Sequence, residues 1–196
     1  MSAHELLLRL AGRLNDRQLW RFRDWLAADA ADAVARALPL TLLRERVAIT
    51  PEEYRLAVSS LMSHGADAEK LNALGWVDEI GELDYTFSAE SPEWVSMGDS
   101  VAVVLSAMLR GRPEVVEARS SWRRGRSAGS VARVVLVTTT GDAPRLTGEL
   151  QRVLRALGTY EPAVEVLPVG TELPRYHQAA LAASEPLVAE GHLVPS

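Results

Sequence analysis

The residues in this chain whose side chains could do chemistry fall into three groups. The first is Thr138, Thr139 and Thr140, followed by Gly141 and Asp142, directly after the β-branched run Val134-Val135-Leu136-Val137. Hydroxyls at the carboxyl end of a strand, followed by a turn and a helix, can hold a phosphate or carboxylate, because a helix N-terminus presents unpaired N–H groups and a partial positive charge. Thr138, Thr139, Thr140 and Asp142 are therefore the candidate binding residues for a small anion or nucleotide. Against that use, the stretch has neither the glycine spacing of a dinucleotide fold nor a P-loop lysine. Threonines also favour strands, and Asp142 is a good helix cap that places a negative charge where an anion would sit.

The second group is Trp122 with Arg119, Arg123, Arg124 and Arg126. Cations around an aromatic ring suit phosphate contact with base stacking. So short a basic run equally suits a solvated hairpin tip or contact with an acidic protein surface. Such a surface exists in this chain. Residues 67–99 hold Asp67, Glu69, Asp78, Glu79, Glu82, Asp84, Glu90, Glu93 and Asp99 against Lys70 alone. These charges would repel DNA phosphates, so DNA is an unlikely partner. They could receive the basic hairpin within one molecule or between neighbours. On this reading, removing the hairpin cations weakens a protein partnership or self-association and leaves folding largely intact.

The third group is His177 beside Tyr176 and Arg175, the most enzyme-like cluster, which equally reads as a capped, half-exposed helix start. His4, His64, His177 and His192 are otherwise dispersed, with no HExxH spacing and no GxSxG elbow. There is no cysteine, which excludes disulfides, thiolate nucleophiles and cysteine zinc sites. Glu52-Glu53 and Asp78-Glu79 are neighbours in sequence, whereas general acid–base work needs carboxylates that converge in a cleft. No catalytic set, metal site or cofactor is assigned. Trp20, Phe22 and Trp25 form an aromatic group on one helix, read as core with an exposed ring available as an interface anchor.

These groups need elements to position them. The 196 residues, 47% hydrophobic and formally −5 in charge, suffice for one large or two small domains with a real core. From Met1 to about Gly65 the apolar spacing is helical, with Asn15 able to cap the helix that carries Leu19, Phe22 and Leu26. Thr50-Pro51-Glu52-Glu53 has a cap, a proline at the first helical position and the glutamate of a capping box. Residues 67–74 suggest a short helix, and residues 76–87 a β-hairpin, together a winged-helix outline. A helix from about Ser100 to Leu109 joins the halves.

After that helix, residues 114–122 and 131–138 read as an antiparallel pair. The Val134 strand, a helix from Asp142 to Gly158 and the strand of Val164, Val166 and Leu167 form a right-handed βαβ unit. A last helix follows Leu173, and Leu187-Val188-Ala189 reads as a short edge strand. The strand-loop-helix start at Val134 resembles receiver, TIR and nucleotide-binding domains, without their acidic or glycine-rich patterns.

The fold class is mixed α+β and α/β. A mainly helical part spans residues 1–112 and a small α/β part spans residues 113–196. No apolar run approaches the roughly 20 residues needed to span a bilayer, and the N-terminus lacks the order of a signal peptide, so no membrane insertion and a cytoplasmic location are expected. Lys70 is the sole lysine among 21 basic residues, a bias that fits a bacterium with a GC-rich genome. The reading reached is a noncatalytic interaction or adaptor protein. The alternatives are a small-ligand α/β module using residues 138–142 and, third, an enzyme using His177.

Overall fold

The computed structural model describes residues 2–95, 99–125 and 131–187. In chain order the elements are α1 (Ala3–Arg9), α2 (Asp16–Ala27), α3 (Ala31–Arg44), α4 (Pro51–Leu61), α5 (Ala68–Asn72), β1 (Tyr85–Ser88), α6 (Ser100–Leu109), β2 (Val115–Gly125), β3 (Val131–Thr139), α7 (Ala143–Ala156), β4 (Ala163–Pro168), α8 (Arg175–Ala182) and β5 (Glu185–Pro186). Among the described residues no helix is long and apolar enough to cross a membrane.

Local chemistry sets the helix boundaries. Ser2, Asn15, Asp67, Asp99 and Asp142 each accept a backbone N–H at the start of their helix. At α4 the full capping box forms, with the Glu53 N–H donating to the Thr50 hydroxyl and the Thr50 N–H donating to the Glu53 carboxylate. Between α1 and α4 the apolar faces close over Leu6, Leu7, Phe22, Leu38 and Leu56, all essentially without solvent contact. Each such side chain contributes about 1.5–3 kcal/mol of transfer free energy.

The sheet runs in the order β1-β2-β3-β4, with β5 also paired to β2. β2 and β3 are antiparallel, and β3 and β4 are parallel with α7 between them. Alternation along the strands sends Val135 and Val137 toward α6 and α7, and Val134 and Leu136 toward α1 and α8. Contacts cross residue 112 in several places. β1 pairs with β2, α2 packs along α7, and Tyr176 of α8 belongs to the helical core. Gly12, at φ +79°, makes room for that ring, because a Cβ there would lie 2.6 Å from a Tyr176 ring carbon.

The expected hairpin across residues 76–87 does not form. Trp76 makes only an isolated parallel bridge to Ile49, while Tyr85–Ser88 pairs with β2 instead. The cause is chemical. Between Trp76 and Tyr85 the half-buried side chains are Val77, Ile80 and Leu83, a spacing of three that does not match strand alternation, whereas Tyr85 and Phe87 alternate and pack edge-on against Tyr176. The winged-helix outline therefore ends at α5. The last strand lies earlier than the expected Leu187-Val188-Ala189: β5 comprises Glu185–Pro186, Leu187 follows it outside the strand, and Val188 and Ala189 lie outside the described residues.

Two substitutions test this packing. Thr50→Ala should cost about 0.5–2 kcal/mol, read as a lower urea midpoint at unchanged slope. Gly148→Ala should destabilise the chain even though alanine is the better helix former by about 1 kcal/mol, because its Cβ would overlap that of Ala27 where α2 crosses α7. A midpoint that rose with Gly148→Ala would show that the two helices are not in contact there.

Candidate functional site

A cluster of reactive side chains lies inside the molecule, where α1, α2 and α8 meet β4. Glu165 sits between Val164 and Val166 on β4 with 2% exposure, on the sheet face that looks toward α8. Its two carboxylate oxygens accept from the Arg23 guanidinium at 2.9 and 2.7 Å, and the same guanidinium donates to the Val164 carbonyl at 2.6 Å. His177 Nε2 lies 2.8 Å from Glu165 Oε2. An ionised carboxylate only accepts, so His177 Nε2 carries the proton and donates it. His4 Nε2 likewise donates to the Val166 carbonyl at 2.8 Å.

The electrostatics follow from this geometry. Burial pushes the Glu165 carboxyl up, but the Arg23 charge and the hydrogen bonds from His177 and Arg23 prevail and hold it at about 2. Burial dominates at His4 and lowers it to about 4, against the opposing Val166 hydrogen bond, so its ring is neutral at pH 7. A carboxylate, a guanidinium and an imidazole in contact, with a second imidazole on the neighbouring Val166 carbonyl, have the residue types of an acid–base site. All four are closed off from water, with exposures of 3% or less. General acid–base catalysis needs reach to a substrate proton, which this arrangement denies.

A second buried group links β2 to the helices. Arg123 donates from one guanidinium nitrogen to Asp16 Oδ1 at 3.0 Å and to the Tyr176 hydroxyl at 2.9 Å, and from the other to Asp16 Oδ2. Its guanidinium lies 4.6 Å from the centre of the Tyr85 ring. Burial pushes the Tyr176 hydroxyl well above its ordinary value, so it stays protonated.

The residues singled out from sequence are distributed as follows. Thr139 and Thr140 donate their hydroxyls to the Glu114 carbonyl, at 2.8 and 3.4 Å, and the Thr140 N–H donates to the same oxygen. The Gly141 N–H donates to Thr139 Oγ1, and Asp142 accepts from the Arg145 N–H. Thr138 is half-buried within β3. The groups expected to hold an anion are thus engaged by the chain itself, and beside Asp142 the carboxylates of Glu114 and Glu149 pair with Arg112, Glu149 also with Arg145. Of the hairpin group, Trp122 and Arg123 are buried, and the Arg133 guanidinium lies 4.6 Å from the Trp122 ring centre. Arg119 donates to Ser184 and Glu117. Arg124 is exposed, and Arg126 lies outside the described residues.

Arg123 is therefore anchored in the fold, because this inward-facing arginine meets Asp16, and the hairpin tip at residues 126–130 lies outside the described residues. From the acidic stretch, Asp99 accepts both Arg133 guanidinium nitrogens. His177, Tyr176 and Arg175 diverge, since the first two face the interior. Trp20 and Trp25 are half-buried beside the fully buried Phe22. Among the described residues no group of three or more His, Cys, Asp or Glu side chains is placed to hold a metal ion.

Sequence reasoning missed Arg23, Glu165, His4 and Asp16. Glu165 was detectable, because a lone charge between two valines in an apolar strand requires a buried partner. Nothing local identifies that partner, since Arg23 is one of 20 arginines (21 basic residues less Lys70).

No protein-family model, curated protein or solved structure matches this chain.

The buried network makes acid sensitivity directional. His4 ordinarily titrates near 6.5 and is held at about 4, so the stability it contributes is complete above pH 6.5 and is lost as pH falls toward 4. Glu165, lowered from 4.5 to about 2, extends the loss over that lower interval. His4→Gln keeps a donor for Val166 and removes the titration. It should flatten the pH dependence of the unfolding free energy between pH 6.5 and 4, a slope of at most about 1.4 kcal/mol per pH unit for one proton. An unchanged slope would show that His4 titrates alike in the folded and unfolded chains.

Proposed function

We propose that this chain is a noncatalytic protein-interaction module whose contact surface includes the outer face of α6. The observation that carries the reading is the composition of that helix against its exposure. Ser100–Leu109 is apolar around nearly its whole circumference, yet only Leu105 and Leu109 are buried. Val103 is 69% exposed and Val104 36%. A helix that is apolar on all sides belongs in an interior, so an apolar face left in water fits the contact surface of another protein chain. The Glu165, Arg23 and His177 cluster is closed off from water, which fits the same reading.

The charged part of the reading now rests on Arg124. It is exposed on β2 and makes no ion pair among the described residues, whereas Arg123 is part of the fold. A cation at the edge of a contact surface steers association and is screened by salt.

The test compares wild type with Val103→Asp and Arg124→Ala, in thermal melting, in sedimentation and in capture of partners from the cells that make the protein. Val103→Asp should deplete the captured partners or the self-associated species while moving folding by about 0.5 kcal/mol or less. Arg124→Ala should weaken the same association at low salt only. Identical associations for wild type and Val103→Asp would overturn the reading. Arg123→Ala serves as contrast. It should lower stability by about 3 kcal/mol, the low end for breaking a buried ion pair, because Asp16 keeps some contact with water.

A further inference from the structure

Trp76 is held firmly by its backbone and left half in water. The Ile49 N–H donates to the Gly75 carbonyl at 2.9 Å and the Val77 N–H to the Ile49 carbonyl at 3.1 Å, so the chain on both sides of Trp76 is tied to a buried residue. The indole rests on the Tyr54 ring, with centres 4.9 Å apart and planes at 42°, and the Tyr54 hydroxyl donates to Asn72 of α5. Trp76 is nevertheless 51% exposed. Val58 lies one turn beyond Tyr54 on α4, and Met62, 41% exposed, one turn beyond Val58. An apolar strip thus runs from the indole along one helix face.

The surroundings of the strip are acidic. Glu69 lies one turn before Asn72 on the same face of α5, and Asp78 and Glu79 follow shortly after Trp76. All three are exposed and make no ion pair among the described residues. Lys70 is matched by Asp67 and Arg9 by Glu52. That leaves Arg55, whose Nε donates to the Pro51 carbonyl, against three carboxylates. Ala48 and Val77, the neighbours of the Ile49–Trp76 bridge, line a cleft of about 380 Å³ that continues the same sign. With the pairs Arg13–Glu53 and Arg44–Glu45 set aside, Glu79, Glu82 and Asp84 stand there against Arg46.

We propose that this surface binds a basic polypeptide segment, with an arginine stacked on Trp76 and an apolar side chain against the strip of Val58 and Met62. A guanidinium is planar, so it can lie on an indole face while its N–H groups reach carboxylates at the rim. An acidic segment would be repelled, and a purely apolar one would bring nothing to match the charges. The acidic stretch around Trp76 thereby gains a use that its internal pairs leave open. The proposal does not rest on the α6 surface, because α6 packs on the sheet core and Tyr54 and Val58 on the helical one.

The probe is an acetylated, amidated five-residue peptide alternating arginine and leucine, titrated into the full chain and followed by chemical shifts of the Trp76 indole N–H and the Met62 methyl. Its counterparts carry citrulline, which keeps the planar shape without the charge, or lysine, which keeps the charge without the plane. The arginine peptide should shift both resonances. The citrulline peptide should bind about tenfold more weakly, the equivalent of about 1.4 kcal/mol, and the lysine peptide should fall between them. Trp76→Leu keeps an apolar side chain on Tyr54 without the indole face, and should weaken the arginine peptide about threefold or more. Asp78→Asn with Glu79→Gln should weaken it at low salt and match wild type at high salt. Val103→Asp should bind it as wild type does, so this surface and the α6 surface are tested separately. The proposal is overturned if the arginine peptide leaves Trp76 and Met62 unshifted, if the citrulline peptide binds equally well, or if Trp76→Leu binds as wild type does. Self-association of the chain alone that Trp76→Leu abolishes would also overturn it, by assigning the surface to a second copy.

Discussion

One carboxylate organises this molecule. Glu165 lies at the middle of an edge strand with water excluded from both sides, and an ion in that position is tolerated only with a close counter-charge and hydrogen bonds to its remaining lone pairs. Arg23 supplies the first and His177 adds the second, one from a helix 142 residues away in sequence and one from the helix that follows the strand. The strand edge has a need of its own. Among the described residues the carbonyls of Val164 and Val166 face no further strand, and Arg23 and His4 donate to them. α1 and α2 thus do what an additional strand would do, and they protect the edge from pairing with another chain.

The helical and α/β parts are interlocked as a consequence. Arg123 and Asp16 repeat the arrangement farther across the sheet, where β2, between β1 and β3, meets the helices. Both clusters place arginine against carboxylate in the interior, and arginine suits such places because its planar fork satisfies two oxygens at once. These reactive groups hold the architecture together. The surface is left with an under-covered apolar helix, and with the half-exposed Trp76 among carboxylates.

Much of the architecture was legible from residue order. The capping box at Thr50, the Asp142 cap and the switch from β-branched alternation to helical spacing after Thr140 are local signals, and each element they imply is present. The 76–87 hairpin failed because strand propensity was read without a partner. Tyr85–Ser88 is a strand only because β2 lies beside it and Tyr176 beneath it. The candidate site was harder to read for the same reason. Val134 to Thr140 shows a strand end, but not that the Glu114 carbonyl would occupy it. Arg123 is indistinguishable from Arg124 in sequence, and strand alternation alone turns one toward Asp16 and the other toward water.

The central claim is that the Arg23–Glu165 pair is a structural coupling between the helical and α/β parts. A double-mutant cycle with Arg23→Met and Glu165→Leu measures it most directly. Each single substitution strands a buried charge and should cost about 3–5 kcal/mol, while the double variant should lose far less than the sum, because removing both charges also removes their desolvation. The account predicts a coupling energy of about 2 kcal/mol or more in urea unfolding at pH 7. Additive losses would contradict it, by showing that the two side chains contribute independently.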